Sequence, residues 1–277
     1  MQSILVTGST CKLAQTFMSQ HKGKYSFVTA SRSTDSDILW DIGKNKLECE
    51  KDVDVVIHYA STGNQLSIPE AFAINSQGTL ELLGWAKNHN VKKFVYISTG
   101  SVYEGGDKIT ENSSLSSNSK YALTKNIAEE LCQFYSSDFQ VVILRLFHPY
   151  GPGTQSSKII DLFIESIQNG KEIKLNNGGK PFLSPIYIDD LNEAIVSILD
   201  KEKGPFSIYN IGGNEMFTVG EIARKISSLL GKSVVSVDTN QDAIDIAADN
   251  SKLRTIFTPK VSLEEGLRRT IKSKNYA

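Results

Sequence analysis

The chain has 277 residues, 40% hydrophobic and 22% charged, with a formal net charge of -1. That length holds one α/β unit with an appended smaller lobe, or two modest domains, and a near-neutral balance gives no reason to expect nucleic acid or an anionic membrane as partner. No run of residues approaches the roughly 18 consecutive apolar positions of a membrane span. The three cysteines, Cys11, Cys49 and Cys132, lack metal-type spacing and read as reduced thiols. The expectation is a cytoplasmic protein without a bound metal.

The N-terminal MQSILVTGST lacks the basic start and long apolar stretch of a signal peptide and reads as a first strand. Strands are expected at Ser3–Thr7, Ser26–Thr29, Val53–His58, Phe94–Ser98 and Gln140–Leu146. Several are continuous Val/Ile/Leu runs, the pattern of parallel strands buried on both faces. Helix-period segments separate them at Leu13–Gln20, Ser76–His89 and Tyr121–Tyr135. This alternation predicts an α/β chain with a doubly wound parallel sheet.

The Gly/Pro-rich stretch Tyr150–Thr154 marks an exit from this first domain. Beyond it come a helix near Lys158–Gln168, a strand at Glu172–Leu175, a strand end and helix in PIYIDDLNEAIVSIL, a helix at Val219–Leu230 and a helical tail from Leu263. Residues 1–150 are thus expected to form a dinucleotide-binding domain, rejoined by about residues 186–212. Residues 151–185 and 213–277 would form a smaller α/β substrate lobe.

Between the first strand and first helix lies Thr7-Gly8-Ser9-Thr10-Cys11-Lys12-Leu13-Ala14. A turn so placed offers backbone N–H groups and a helix N-terminus to a pyrophosphate. Gly8 provides the tight turn, whereas Cys11 stands where a glycine ordinarily lets the backbone approach phosphate. At the end of the second strand, Thr29-Ala30-Ser31-Arg32-Ser33 has no acid to grip a ribose 2′-hydroxyl. Arg32 suits a 2′-phosphate instead, with Lys12 adding charge, so NADP(H) is favoured and NAD(H) remains open.

Tyr121 and Lys125 are spaced one helical turn apart. A neighbouring ammonium is expected to lower the phenol's pKa towards the working range of an acid/base. Thr99, ending the fourth strand, can hydrogen-bond a reacting oxygen.

These residues recur with His58-Tyr59-Ala60-Ser61, Asn75, Tyr96–Tyr103, Arg145–Pro152, Tyr187-Ile188-Asp189-Asp190, Tyr209–Gly212 and Leu263–Leu267. In that order the chain resembles the NAD-dependent epimerase/dehydratase family, the extended short-chain dehydrogenases, over nearly its whole length. The resemblance implies a Rossmann-type fold and a homodimer. It also implies catalysis by Thr99, Tyr121 and Lys125. The cofactor would be held by Gly8, Thr10, Cys11, Lys12, Leu13, Arg32, Asp41, Ile42, Tyr59, Ala60, Ser61, Tyr121, Lys125 and Phe147. Thr99, Ser101, Tyr121 and His148 would meet a sugar substrate, nucleotide-linked in the family.

The chain departs from the family pattern in places. Gly100 and Ser101 stand where the resembling 4,6-dehydratases carry an Asp-Glu pair, so dehydration is not expected. Leu183 replaces an expected Arg, and Arg224 is the sole Arg from Leu146 through Leu253. Lys171, Lys174 and Lys180 could act there as point charges. Arg32 and the short second lobe favour a ketoreductase using NADPH. An NAD-dependent epimerase is the alternative, and a non-enzymatic NAD(P)-binding sensor the third reading.

Overall fold

The computed structural model describes residues 1–153 and 159–274, so Thr154 and Lys158, at the ends of two expected segments, lie outside the described residues. The first strand, β1 (Gln2–Thr7), buries Ile4, Leu5 and Val6 completely. Helix α1 (Lys12–His21) follows, then β2 (Tyr25–Ser31), the short β3 (Ile38–Leu39) and β4 (Val55–His58). A long helical segment then runs as α2 (Ile68–Phe72), a π turn (Ala73–Gln77) and α3 (Gly78–Asn88). Its start is fixed by a capping box, in which Ser67 Oγ accepts from the Glu70 N–H and Glu70 accepts from the Ser67 N–H.

Strand β5 (Lys93–Thr99), β6 (Gly106–Ile109), α4 (Lys120–Phe134) and β7 (Gln140–Leu146) come next. Then follow α5 (Ile159–Gln168), β8 (Ile173–Leu175), β9 (Phe182–Leu183), α6 (Ile188–Lys201) and β10 (Phe206–Ile211). The chain ends with β11 (Phe217–Thr218), α7 (Val219–Leu230), β12 (Ser236–Asp238), β13 (Ile246–Ala248), α8 (Ser251–Arg254) and α9 (Leu263–Ser273).

Seven strands form the main sheet in the order β10-β7-β5-β4-β1-β2-β3. β1 pairs in parallel with both β2 and β4, and the order reverses on either side of it, as in a doubly wound Rossmann sheet. The chain divides into two compact units: residues 1–104, 114–145 and 202–209, and residues 105–113, 146–201 and 210–277. The second unit contains a four-stranded sheet, β11-β9-β13-β6, and the pair β12-β8.

Strands read as Val/Ile/Leu runs match within a few residues. The short strands β3, β9 and β11, with two residues each, carry too little pattern to be legible. Ser76–His89, read as one helix, contains the end of the π turn, which hydrophobic periodicity does not register. The strand end read in PIYIDD is an isolated bridge between Tyr150 and Tyr187.

Candidate active site

Helix α4 presents a buried stripe of Ala122, Lys125, Ala128, Glu129 and Cys132. The i, i+3/i+4 spacing makes this the core-facing side. A lysine and a glutamate on such a face cost desolvation unless they are partnered. Ser119 caps the helix, its Oγ accepting from the Ala122 N–H at 3.0 Å, and Asn64 Oδ1 accepts from the Tyr121 N–H at 3.0 Å.

Tyr121 is half-buried, and the hydroxyls of Ser61 and Thr99 hydrogen-bond its phenol. Thr99 Oγ1 also lies 3.2 Å from Ser101 Oγ and accepts from the Ser101 N–H at 3.2 Å. The expected Thr99–Tyr121 pair is therefore joined by Ser61, at the loop after β4. These groups converge at the carboxyl ends of β4 and β5, where open α/β sheets bind ligands.

Burial raises the phenol above its ordinary value, while the Ser61 and Thr99 hydroxyls pull it down. Lys125 does not lower it as expected from spacing. The lysine is itself buried, pushed down to about 7 by loss of solvent, with Glu129 opposing. Its Nζ donates to the Ile97 carbonyl at 2.6 Å and lies 4.0 Å from the centre of the Tyr96 ring.

Glu129 is held by Arg145: Nη2 donates to Oε2 at 2.5 Å and Nε to the same oxygen at 3.0 Å. Arg145 Nη1 donates to the Tyr103 hydroxyl at 2.6 Å, and the Ser98 hydroxyl donates to Glu129. Both charges are almost fully buried, so each depends on the other.

The loop after β1 is tight. Gly8 has φ +65°, and a Cβ there would lie 2.6 Å from the Ala60 nitrogen, so only glycine fits against the exit of β4. Cys11 has φ −70°, so its backbone makes no demand for glycine. It caps α1, Sγ accepting from the Ala14 N–H at 3.4 Å. The thiol is thus engaged with its own helix. The Lys12 and Leu13 N–H groups belong to the first turn, which has no intrahelical partners and can bind an anion. Thr10 and Lys12 are exposed, while Tyr59 is buried. This loop fits a dinucleotide pyrophosphate.

At the exit of β2, Arg32 is exposed. Beside it, Ser36 Oγ lies 2.7 Å from Ser31 Oγ and 3.0 Å from Ser9 Oγ, a hydroxyl cluster not anticipated from sequence. Asp41 pairs with Lys44 at 2.8 Å. Ile42 packs over the first residue of α3, where a Cβ on Gly78 would collide with it.

Phe147 and His148 belong to the second unit. The buried Phe147 donates its N–H to the Ile211 carbonyl at 2.9 Å. His148 has φ +48°, a conformation in which Asn, Asp and His are enriched among non-glycine residues. Leu183, at the place of an expected Arg, is buried in β9, and Arg224 is exposed on α7.

His58, Asn64, Asn75 and Thr124 gain roles that the sequence did not assign. Asn75 Oδ1 accepts from the Thr62 N–H at 2.8 Å, and its Nδ2 donates to the Thr62 carbonyl and Thr124 Oγ1, both at 2.9 Å. His58 and Asn75 stand in the ordered motifs, which was the only available signal. Among the described residues no helix is long and apolar enough to cross a membrane.

A family model described as NAD dependent epimerase/dehydratase family matches residues 4–212. The human dTDP-D-glucose 4,6-dehydratase is 33% identical over 244 residues, covering 81% of this chain and 69% of that protein. A UDP-glucuronate 4-epimerase from Thermodesulfobacterium geofontis is 32% identical over 236 residues, covering 79% and 72%. The crystal structure of UDP-glucuronic acid 4-epimerase from Bacillus cereus, with UDP-glucuronic acid and NAD, superposes with a TM-score of 0.88 at 25% identity, covering 100% of both chains. With a dehydratase among these relatives, the expectation against dehydration has no support from kinship. It rests on Gly100 and Ser101 alone. Nor do the relatives support a preference for NADP, since the solved epimerase holds NAD. From the matched motifs, the sheet order and these relatives, the chain is an enzyme of the NAD-dependent epimerase/dehydratase family.

Proposed function

We propose that the protein is an NAD-dependent epimerase of a nucleotide-linked sugar, with Tyr121 as acid/base. The observation that carries this reading is the hydroxyl cluster of Tyr121, Ser61 and Thr99 beside the buried Lys125. It moves a proton at one oxygen, and Gly100 and Ser101 leave no acid/base pair next to Thr99 for eliminating water. NAD, when bound, supplies a reversible hydride acceptor.

Tyr121 takes the hydroxyl proton as a carbinol is oxidised and returns it when the ketone is reduced on its other face. Hydrogen bonds with the Ser61 and Thr99 hydroxyls lower the phenol's pKa and so favour the phenolate. Gly8 and the first turn of α1 would receive the pyrophosphate, and Asp41 and Ile42 would meet the adenosine side. The family's UDP-glucuronate 4-epimerases support the sugar class.

The test is incubation of purified protein with UDP-glucuronic acid, UDP-glucose and dTDP-glucose, followed by NMR of the products. Inversion at one carbon without net cofactor consumption is expected. A 4-keto-6-deoxy product overturns the reading in favour of dehydration.

A second reading, an NADPH-dependent ketoreductase, is favoured by the exposed Arg32 where an acid would grip the ribose. Titration of NAD(H) and NADP(H) against wild type and Arg32→Ala separates the two. Tighter NADP(H) binding that the substitution abolishes supports the reductase.

A further inference from the structure

His58 is fully buried at the end of β4 and takes no part in the hydroxyl cluster. Its ring packs among Trp40, Phe94 and Tyr96, with centroids 6.4, 6.1 and 5.7 Å away. Both ring nitrogens are engaged. Nδ1 lies 2.6 Å from Thr7 Oγ1, and Nε2 lies 3.1 Å from Thr79 Oγ1.

The direction of these bonds follows from the single hydroxyl hydrogen of Thr79. Thr79 donates it to the Asn75 carbonyl at 2.6 Å, and a carbonyl can only accept. Towards His58, Thr79 Oγ1 is therefore an acceptor, so Nε2 carries the imidazole proton. Nδ1 is then a bare lone pair, and the Thr7 hydroxyl donates to it. Burial, with the nearby Lys125 charge adding to it, holds the ring's pKa down at about 3, so it is neutral at every working pH.

The chain of bonds joins two functional regions. Thr7 immediately precedes Gly8 and the phosphate loop. Asn75 lies in the π turn, an arrangement frequent at functional sites. Its carboxamide fastens Thr62, next to Ser61, and Thr124, next to Lys125. Ser76 Oγ adds a 2.9 Å bond to the Thr124 carbonyl.

We propose that His58, as the neutral Nε2–H tautomer, is a positioning residue that locks the π turn and, through Asn75, holds Ser61 and helix α4 in register with the cofactor loop. Its consequence for turnover rests on the assignment of Tyr121 as acid/base.

The experiment is ¹⁵N NMR of histidine-labelled protein together with steady-state kinetics on Thr79→Val and Thr79→Ser. Wild-type His58 should show the Nε2–H pattern without titrating between about pH 5.5 and 8.5. Thr79→Val removes the acceptor, so the ring should turn to the Nδ1–H tautomer and donate to Thr7. Turnover should then fall by about tenfold or more at unchanged KM, whereas Thr79→Ser keeps tautomer and turnover within about twofold. An Nδ1–H or titrating His58 in wild type overturns the proposal, as does a Thr79→Val protein with wild-type tautomer and turnover. Should Thr79→Val fail to fold, the wild-type spectrum and Thr79→Ser decide. Full activity in Tyr121→Phe would refute the catalytic assignment, while the tautomer readings would still judge the role of His58.

Discussion

Lys125 Nζ donates a 2.6 Å hydrogen bond to the main-chain carbonyl of Ile97, placing an ionisable group inside the sheet–helix core. Burial draws its pKa from 10.5 to about 7. Between those values the unfolded chain binds the proton and the folded chain does not, so stability rises with pH across this window. Below about 7 the full cost is present, at most roughly 5 kcal/mol by the conversion of pKa shift to free energy. Lys125→Met should therefore be more stable than wild type near pH 7, with the difference closing towards pH 10. Urea unfolding of nucleotide-free protein at several pH values measures this. Parallel stability–pH curves would contradict it.

The Tyr121 phenol carries opposing influences, raised by burial and lowered by Ser61 and Thr99. Tyr121→Phe should reduce turnover by about 10²–10⁴-fold, the usual contribution of general acid–base catalysis, with NAD affinity almost intact. Thr99→Val removes one of the two lowering bonds, so the pKa governing the rate should move to higher pH. Rate profiles for these variants, with separate cofactor titrations, provide the check.

Arg145 and Glu129 form a forked pair with both side chains almost fully buried. Removing one partner strands the other's charge in the core. Glu129→Ala is expected to cost about 3–5 kcal/mol, the range for broken buried pairs. Denaturant titration measures it, and a loss below about 1 kcal/mol, as for an exposed pair, would refute the burial argument.

Cys11 caps α1 through a weak sulfur acceptor. Serine is a stronger cap at this position, so Cys11→Ser should raise stability by up to about 1 kcal/mol, and Cys11→Ala should lower it. Because the thiol is turned onto its own helix, NAD affinity in Cys11→Ser should stay within about threefold, on the scale where tenfold is 1.4 kcal/mol. A large gain in NAD affinity would mean that the thiol obstructs the phosphates.

Strands β1, β4, β5 and β7 were legible because each is an apolar run buried on both faces, a property of composition and spacing alone. Helix α4 and its Tyr121–Lys125 spacing were legible for the same reason: an i, i+4 relationship is local. The order of motifs also carried the family. Whether Lys125 acidifies Tyr121 was beyond the sequence, since spacing does not reveal that burial draws down the lysine's own pKa or that Nζ turns to Ile97. Ser61 joining Thr99 at the phenol, and His58 linking Thr7 to Thr79, depend on groups brought together by folding across long stretches of chain. Hydrogen-bond direction and desolvation are properties of the assembled interior, and the tertiary structure alone decided them.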